Sequence, residues 1–211
     1  MMHLAAITIA APTYVEGVKT MSVGDFDGHG VAASDGVSTR LEAIEFDSIV
    51  RTTLTRMPGI PLPLGMVSGD EHALKQFVHA HNGTINQAIH DLSGTGEYVI
   101  DLNDSLEMPH TAKLREKRAY IKAQRTAAKR AEETIELLSQ WGEPIIGASQ
   151  ADPSRSKRST RINLLVRRAF QSCEIEALQN ALFGWFSKVT ITGPFAPYSA
   201  VKRRLEGGTT Q

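Results

Sequence analysis

Apolar and polar positions along this 211-residue chain change period several times, and each change marks an expected element. The run over 3–10, with Leu4-Ala5-Ala6-Ile7-Thr8-Ile9 at its centre, predicts a first strand. Only His3 precedes it as a chargeable group, so a strand fits better than a signal peptide. Further strands are expected at about 20–25 and 63–67. Between them Gly24, Asp25, Asp27, Gly28, Gly30, Asp35 and Gly36 read as turns or a flexible loop. A helix is expected over about 41–56, with Leu41, Ile44, Ile49 and Leu54 as its apolar positions, and Pro58, Pro61 and Pro63 forbid its continuation. Ser68 and Glu71 have capping-box spacing, and Leu74, Phe77, Val78, Ile85, Ala88, Ile89 and Leu92 recur behind them at helical spacing. Gly83 weakens that helix, and Gly94 stops it.

Farther along, 97–103 reads as a strand with Tyr98 and Ile100 on one face and Val99 and Asp101 on the other. A long helix over 112–140 follows, ending at Trp141-Gly142. Its Leu114, Ile121, Ala128 and Ile135 recur every seven residues, a narrow apolar seam that fits packing on a sheet better than the alternative, a short coiled coil. A short strand at 144–148, a polar stretch at 149–160 and a strand at 161–168 come next. Ser172 is placed to cap a helix whose Ile175, Leu178, Leu182 and Trp185 form one stripe, and 188–192 is a last strand. The order β-α-β-β-α-β is that of the ferredoxin-like fold. The expected class is therefore α+β in two domains: a mixed α/β domain over 1–93, and a ferredoxin-like domain over 94–211 with a long charged helix.

Composition fits a folded chain, with 41% hydrophobic and 22% charged residues. No apolar run approaches the roughly 20 residues of a membrane helix, so no membrane span is expected. The single cysteine, Cys173, allows no internal disulfide. Net charge is zero but divided. Residues 1–110 hold 5 Lys/Arg and 14 Asp/Glu, and residues 111–211 hold 18 and 9. Such asymmetry points to contact between the halves, between copies of the chain, or with an anionic partner.

The basic residues concentrate at 113–130, which includes Arg115 and Arg118, and at 155–168, which includes Arg158 and Arg161. These four are candidate protein-binding positions. The alternative is an adaptor that meets nucleic acid or another anionic partner through this surface. No aromatic residue interleaves with these bases, so a single-strand stacking platform is missing. Catalytic and metal signals are thin. Asp25-Phe26-Asp27-Gly28-His29-Gly30 starts like a calcium loop, yet Gly36 occupies the position that needs a bidentate Glu. His72, His79, His81 and His90 include no i, i+4 pair. No phosphate-cradling or nucleophile-elbow motif occurs. No cofactor, metal or catalytic residue is assigned, and a non-enzymatic role is expected.

Near the end stands Thr192-Gly193-Pro194-Phe195-Ala196-Pro197-Tyr198-Ser199. It resembles the T-G-P-W/F-P-P-Y-S-F motif of the GvpF/GvpL family of gas vesicle proteins. Pro58-Gly59-Ile60-Pro61-Leu62-Pro63-Leu64-Gly65-Met66-Val67 is similar to that family's P-V-L-P-L-R-F-G-T-V segment, with Pro63 and Leu64 replacing its arginine and aromatic. Gly94, Glu97 and Tyr98 match its G-x-x-E-W/Y strand, and Phe46 stands near the place of a frequent family histidine. The resemblance spans about 46–201. It implies a cytoplasmic accessory or minor structural protein of the gas vesicle that contacts the hydrophobic shell protein and helps to nucleate or assemble the shell; binding to other vesicle proteins and self-association are further expectations. Physically, Gly193 and the two prolines stiffen the terminal motif and present Phe195 and Tyr198. These rings are either docking residues for a partner or a clasp that folds back on the N-terminal domain.

Overall fold

The computed structural model describes residues 2–9, 18–32, 40–103, 126, 129–130, 132–150, 159–183 and 185–207. The chain divides into two compact units, Met1–Thr95 with Ala196–Gln211, and Gly96–Phe195. Where the sequence reading drew one C-terminal domain over 94–211, the last stretch of the chain counts with the first unit.

The first unit is built on an antiparallel sheet in the order β2 (Val18–Val23), β3 (Phe26–Ala32), β1 (Met2–Ile9), β4 (Gly59–Pro61), with β5 (Ser68–Gly69) also on β1. The glycine-rich stretch read as a loop is strand β3 in its first part. A tight turn through Gly24, at φ +61°, lets β2 and β3 form a hairpin from Val23↔Phe26 to Val18↔Val31. Glycine is used on β3 because space is short. A Cβ on Gly28 would sit 3.1 Å from Leu4 Cδ1, and one on Gly30 3.2 Å from Met21 Cε. The strand expected at 63–67 is instead a turn between β4 and β5, closed by the Met66 amide on Pro63 O at 3.0 Å. Proline at 61 and 63 removes donors there, so pairing with β1 stays short.

Helix α1 (Arg40–Arg56) buries Phe46, Val50 and Thr53, and Met57 just after it is also buried. The single helix expected after residue 70 is two: α2 (Glu71–Ala80) and α3 (Asn82–Leu92). The break falls at His81, not at Gly83. His81 leaves helical geometry at φ −109°, ψ 16°, its Nδ1 lies 2.9 Å from Phe77 O, and its ring stacks on Phe77 at 4.4 Å. The cap is also corrected: Ser68 lies in β5, and Asp70 accepts from the Ala73 amide at 2.9 Å. Leu74, Val78, Ile85, Ala88, Ile89 and Leu92 are buried as their spacing predicts.

The second unit carries the sheet β7-β8-β6-β9, all antiparallel, from β6 (Gly96–Asn103), β7 (Ile145–Gln150), β8 (Ser159–Val166) and β9 (Lys188–Phe195). Helical residues 132–139 form α4, between β6 and β7, and α5 (Ser172–Phe183) joins β8 to β9. This is the ferredoxin-like arrangement expected from element order. Tyr98, Ile100 and Leu102 from β6 and Ile162, Leu164 and Val166 from β8 line one face, against Leu138, Leu178, Leu182 and Phe186. Each such side chain, fully buried, contributes about 1.5–3 kcal/mol. Ile135 of the seven-residue seam packs on this core, while Leu114, Ile121 and Ala128 lie outside the described residues. Ser172 is the first helical residue of α5. The orphan amide before it, on Gln171, is held by Glu174 Oε2 at 2.7 Å.

This division changes the charge picture. The first unit holds 8 Lys/Arg against 11 Asp/Glu, a net of −3, and the second 15 against 12, a net of +3. The acids just after residue 96 belong to the basic unit, and Lys202, Arg203 and Arg204 belong to the acidic one. The fold thus removes most of the asymmetry seen along the sequence.

Candidate functional site

The terminal motif begins inside β9. Glu97 pairs with Phe195 while Val99 pairs with Thr192, so β9 carries one extra residue at Gly193-Pro194. That is a β-bulge. Gly193 sits at φ +139°, and a Cβ there would lie 2.8 Å from Glu97 O and 2.9 Å from Tyr98 Cδ1. Only glycine fits both the angle and the gap. The strand therefore runs on to Phe195, past the expected end at 192. The Gly193–Pro194 peptide is cis.

Beyond the bulge the chain enters the first unit. Ala196 is buried with Ala5, Phe46 and Val50, and Leu64 and Tyr198 pack on the same cluster. Three of the segments that carry the sequence resemblance meet here: α1 through Phe46, the proline-rich segment through Leu64, and the terminal motif through Ala196 and Tyr198. Two of the residues that depart from the family pattern, Phe46 and Leu64, are apolar members of this cluster. The Tyr198 hydroxyl donates to Asp47 Oδ1 at 3.0 Å, and Asp47 Oδ2 accepts from Arg51 Nε at 2.7 Å. Burial and the Asp47 charge push the Tyr198 phenol far above its usual value, so it stays a donor. Helix α6 (Tyr198–Gly207) then buries Ala200, Val201 and Leu205, and Arg204 reaches Asp91 of α3 at 2.7 Å.

Among the candidate binding residues, Phe195 is half-buried at the end of β9, and Tyr198 is half-buried with its hydroxyl engaged. Arg161 is exposed and forms a two-point pair with Asp101, at 2.7 and 3.1 Å. That carboxylate raises an already basic guanidinium further. Arg115, Arg118 and Arg158 lie outside the described residues. Phe195 counts with the second unit and Tyr198 with the first, and Arg161 lies on β8 of the second sheet.

Other surface features escape periodicity. Trp185, placed on an apolar helix stripe by its spacing, lies beyond the end of α5 and is 41% exposed, next to Phe183 at 52%. Its carbonyl accepts from Arg130 Nη1 at 3.3 Å. The signal for an early helix end was Gly184. At the other end of α5 a half-open cavity of about 150 Å³ is lined by Trp141, Pro144, Ile145, Phe170, Cys173, Glu174, Ala177 and Leu178. Arg168 pairs with Glu174 at 2.7 Å and pulls its carboxyl down to about 2. Cys173 is exposed. In the first unit, His29 is fully buried, with Nε2 at 2.8 Å from Thr8 Oγ1 and Nδ1 at 3.4 Å from Thr20 Oγ1. Among the described residues no cluster of His, Cys, Asp and Glu is placed to hold a metal, and no helix is long and apolar enough to cross a membrane.

The sequence model of the family described as gas vesicle synthesis protein GvpL/GvpF matches residues 16–202. The crystal structure of GvpF from Microcystis aeruginosa is similar with a TM-score of 0.66 at 16% identity, covering 95% of this chain and 98% of that one. That of GvpF from Anabaena sp. PCC7120 is similar with a TM-score of 0.68 at 13% identity, covering 95% of both. No curated protein sequence matches the chain.

Proposed function

The chain belongs to the GvpL/GvpF family of gas vesicle synthesis proteins, and from that premise we propose that it acts in gas vesicle assembly or nucleation as a non-enzymatic accessory or minor structural protein. In this reading it works in the cytoplasm and binds the hydrophobic shell protein and other vesicle proteins. The family match over 16–202 is the observation that carries it.

The physical division of labour follows from burial. The terminal motif acts as the strap that leads the chain from the second sheet to Phe46, Val50 and Asp47. Its rigidity serves the architecture, and Phe195 and Arg161 remain as accessible edges for a partner. The exposed rings of Phe183 and Trp185, beside Arg130, offer a better docking surface than Tyr198. Aromatic and arginine side chains are the types that dominate interface cores.

The test is capture of the hydrophobic shell protein by the tagged full chain. Retention that drops at least about tenfold in a Phe183→Ala/Trp185→Ala double variant, with the fold intact, supports the reading. A chain that ignores shell protein yet retards nucleic acid in a salt-dependent way overturns it.

A further inference from the structure

Edge strands present unpaired amides and carbonyls, and proteins protect them with charges, prolines, bulges or short length. Each described edge of more than two residues carries a charge or a proline, with one exception. In the first sheet, β2 carries Lys19, and β4 is three residues long and ends in Pro61. In the second sheet, β9 carries Lys188 and Pro194. The opposite edge, β7, reads Ile145-Ile146-Gly147-Ala148-Ser149-Gln150 and has no charge and no proline. Its register against β8 shifts between Ile145 and Gly147, and Ile146 at that irregularity is 42% exposed. Trp141, 41% exposed, stands at the lip of the cavity that Pro144 and Ile145 help to line. Ser149 Oγ, shut off from solvent, has no hydrogen-bond partner among the described residues.

We propose that β7 is the site at which a second copy of this chain adds to the ferredoxin-like sheet, antiparallel and about a two-fold axis. Self-pairing suits this strand in particular. A strand bearing a lysine brings like charge toward like when it meets its own copy, and a proline leaves a carbonyl unmatched. The β7 strand does neither, and its exposed Ile146 and Trp141 add apolar surface to the backbone ladder. An isologous contact needs one self-complementary patch, which this edge supplies. Six residues of ladder with two flanking apolar side chains make a small interface, so the dimer is weak and concentration-dependent. This inference goes beyond the vesicle role and does not depend on it.

Sedimentation velocity on the full chain between about 1 and 100 µM, with hydrogen exchange at both ends of that range, tests it. The expected result is a monomer–dimer equilibrium in which the amides of 145–150 exchange more slowly at high concentration, while those of β2 and β9 do not change. Ile146→Lys, at an exposed position, places charge on the edge and raises the dissociation constant at least about tenfold. Ile146→Glu does the same. Matching thermal midpoints show that both variants fold. A wild-type chain that stays monomeric throughout, or a dimer that Ile146→Lys leaves intact, overturns the proposal. So does protection of 145–150 that follows an added apolar peptide and not concentration, which would give the edge to a different occupant.

Discussion

The phenol of Tyr198 donates to Asp47 across 151 residues of sequence, at 3.0 Å, and so ties the start of α6 to the middle of α1. Asp47 is already committed to Arg51, so the tyrosine completes a three-residue chain. Removing the hydroxyl with Tyr198→Phe keeps the ring on Phe46 and Val50 but loses a hydrogen bond to a charged acceptor. The expected loss is about 1–2 kcal/mol, seen as a thermal midpoint lowered by a few degrees. An unchanged midpoint would mean that solvent replaces the bond at no cost.

Gly193 and Gly94 separate two reasons for glycine. Both have positive φ, +139° and +76°, but a Cβ on Gly94 meets nothing within 4 Å, whereas one on Gly193 strikes Glu97 O and Tyr98 Cδ1. Gly94→Ala is expected to cost about 1 kcal/mol, the left-handed penalty alone. Gly193→Ala adds a clash with backbone that cannot turn away, for about 2–4 kcal/mol in all. Urea unfolding of the two variants side by side measures the difference. Equal effects would place the bulge elsewhere in solution.

Much of this was legible in the sequence because local rules and tertiary structure agree. Alternation in 97–103 separated Tyr98 and Ile100 from Val99 and Asp101, and the first pair is the buried face; the element order of the second unit matches its topology. The first unit was harder. Its β3 hides behind Gly28 and Gly30, which look like turn residues but are required by the approach of Leu4 and Met21. The proline-rich segment pairs with β1 at Gly59–Pro61, where spacing suggested a later strand. The meeting of Phe46, Leu64 and Ala196 joins segments far apart in sequence, and no local pattern encodes it. Trp185 was lost to the stripe because period alone does not tell a helix's last turn from the loop after it.

Phe46 is 5% exposed and packs on Ala5, Val50 and Ala196. Truncation there opens a void under the strap, so Phe46→Ala is expected to cost about 3–4 kcal/mol. Phe46→His puts a polar ring among these apolar neighbours and should also destabilise, by about 1–3 kcal/mol. Chemical denaturation of both checks the order. A histidine variant as stable as the parent would show that Asp47 or Tyr198 turns to receive the imidazole.

His29 is expected to make the first unit acid-sensitive. It lies between hydroxyls of Thr8 and Thr20, and buried Met57 is 4.0 Å from Thr8 Oγ1. Burial lowers its pKa from the usual 6.5, and the Asp27 charge opposes that shift only in part. The folded state therefore binds its proton at lower pH than the unfolded state. Above about pH 6.5 both states are neutral and His29 imposes no penalty. As pH falls below that value the unfolded chain takes up the proton first, and stability declines until the folded pKa is passed. Thermal midpoints are thus expected to fall as pH drops below about 6.5, and His29→Gln, which keeps a partner for one hydroxyl, should flatten that slope while lowering stability at pH 8. A slope that survives the substitution would assign the acid sensitivity to the carboxylates instead.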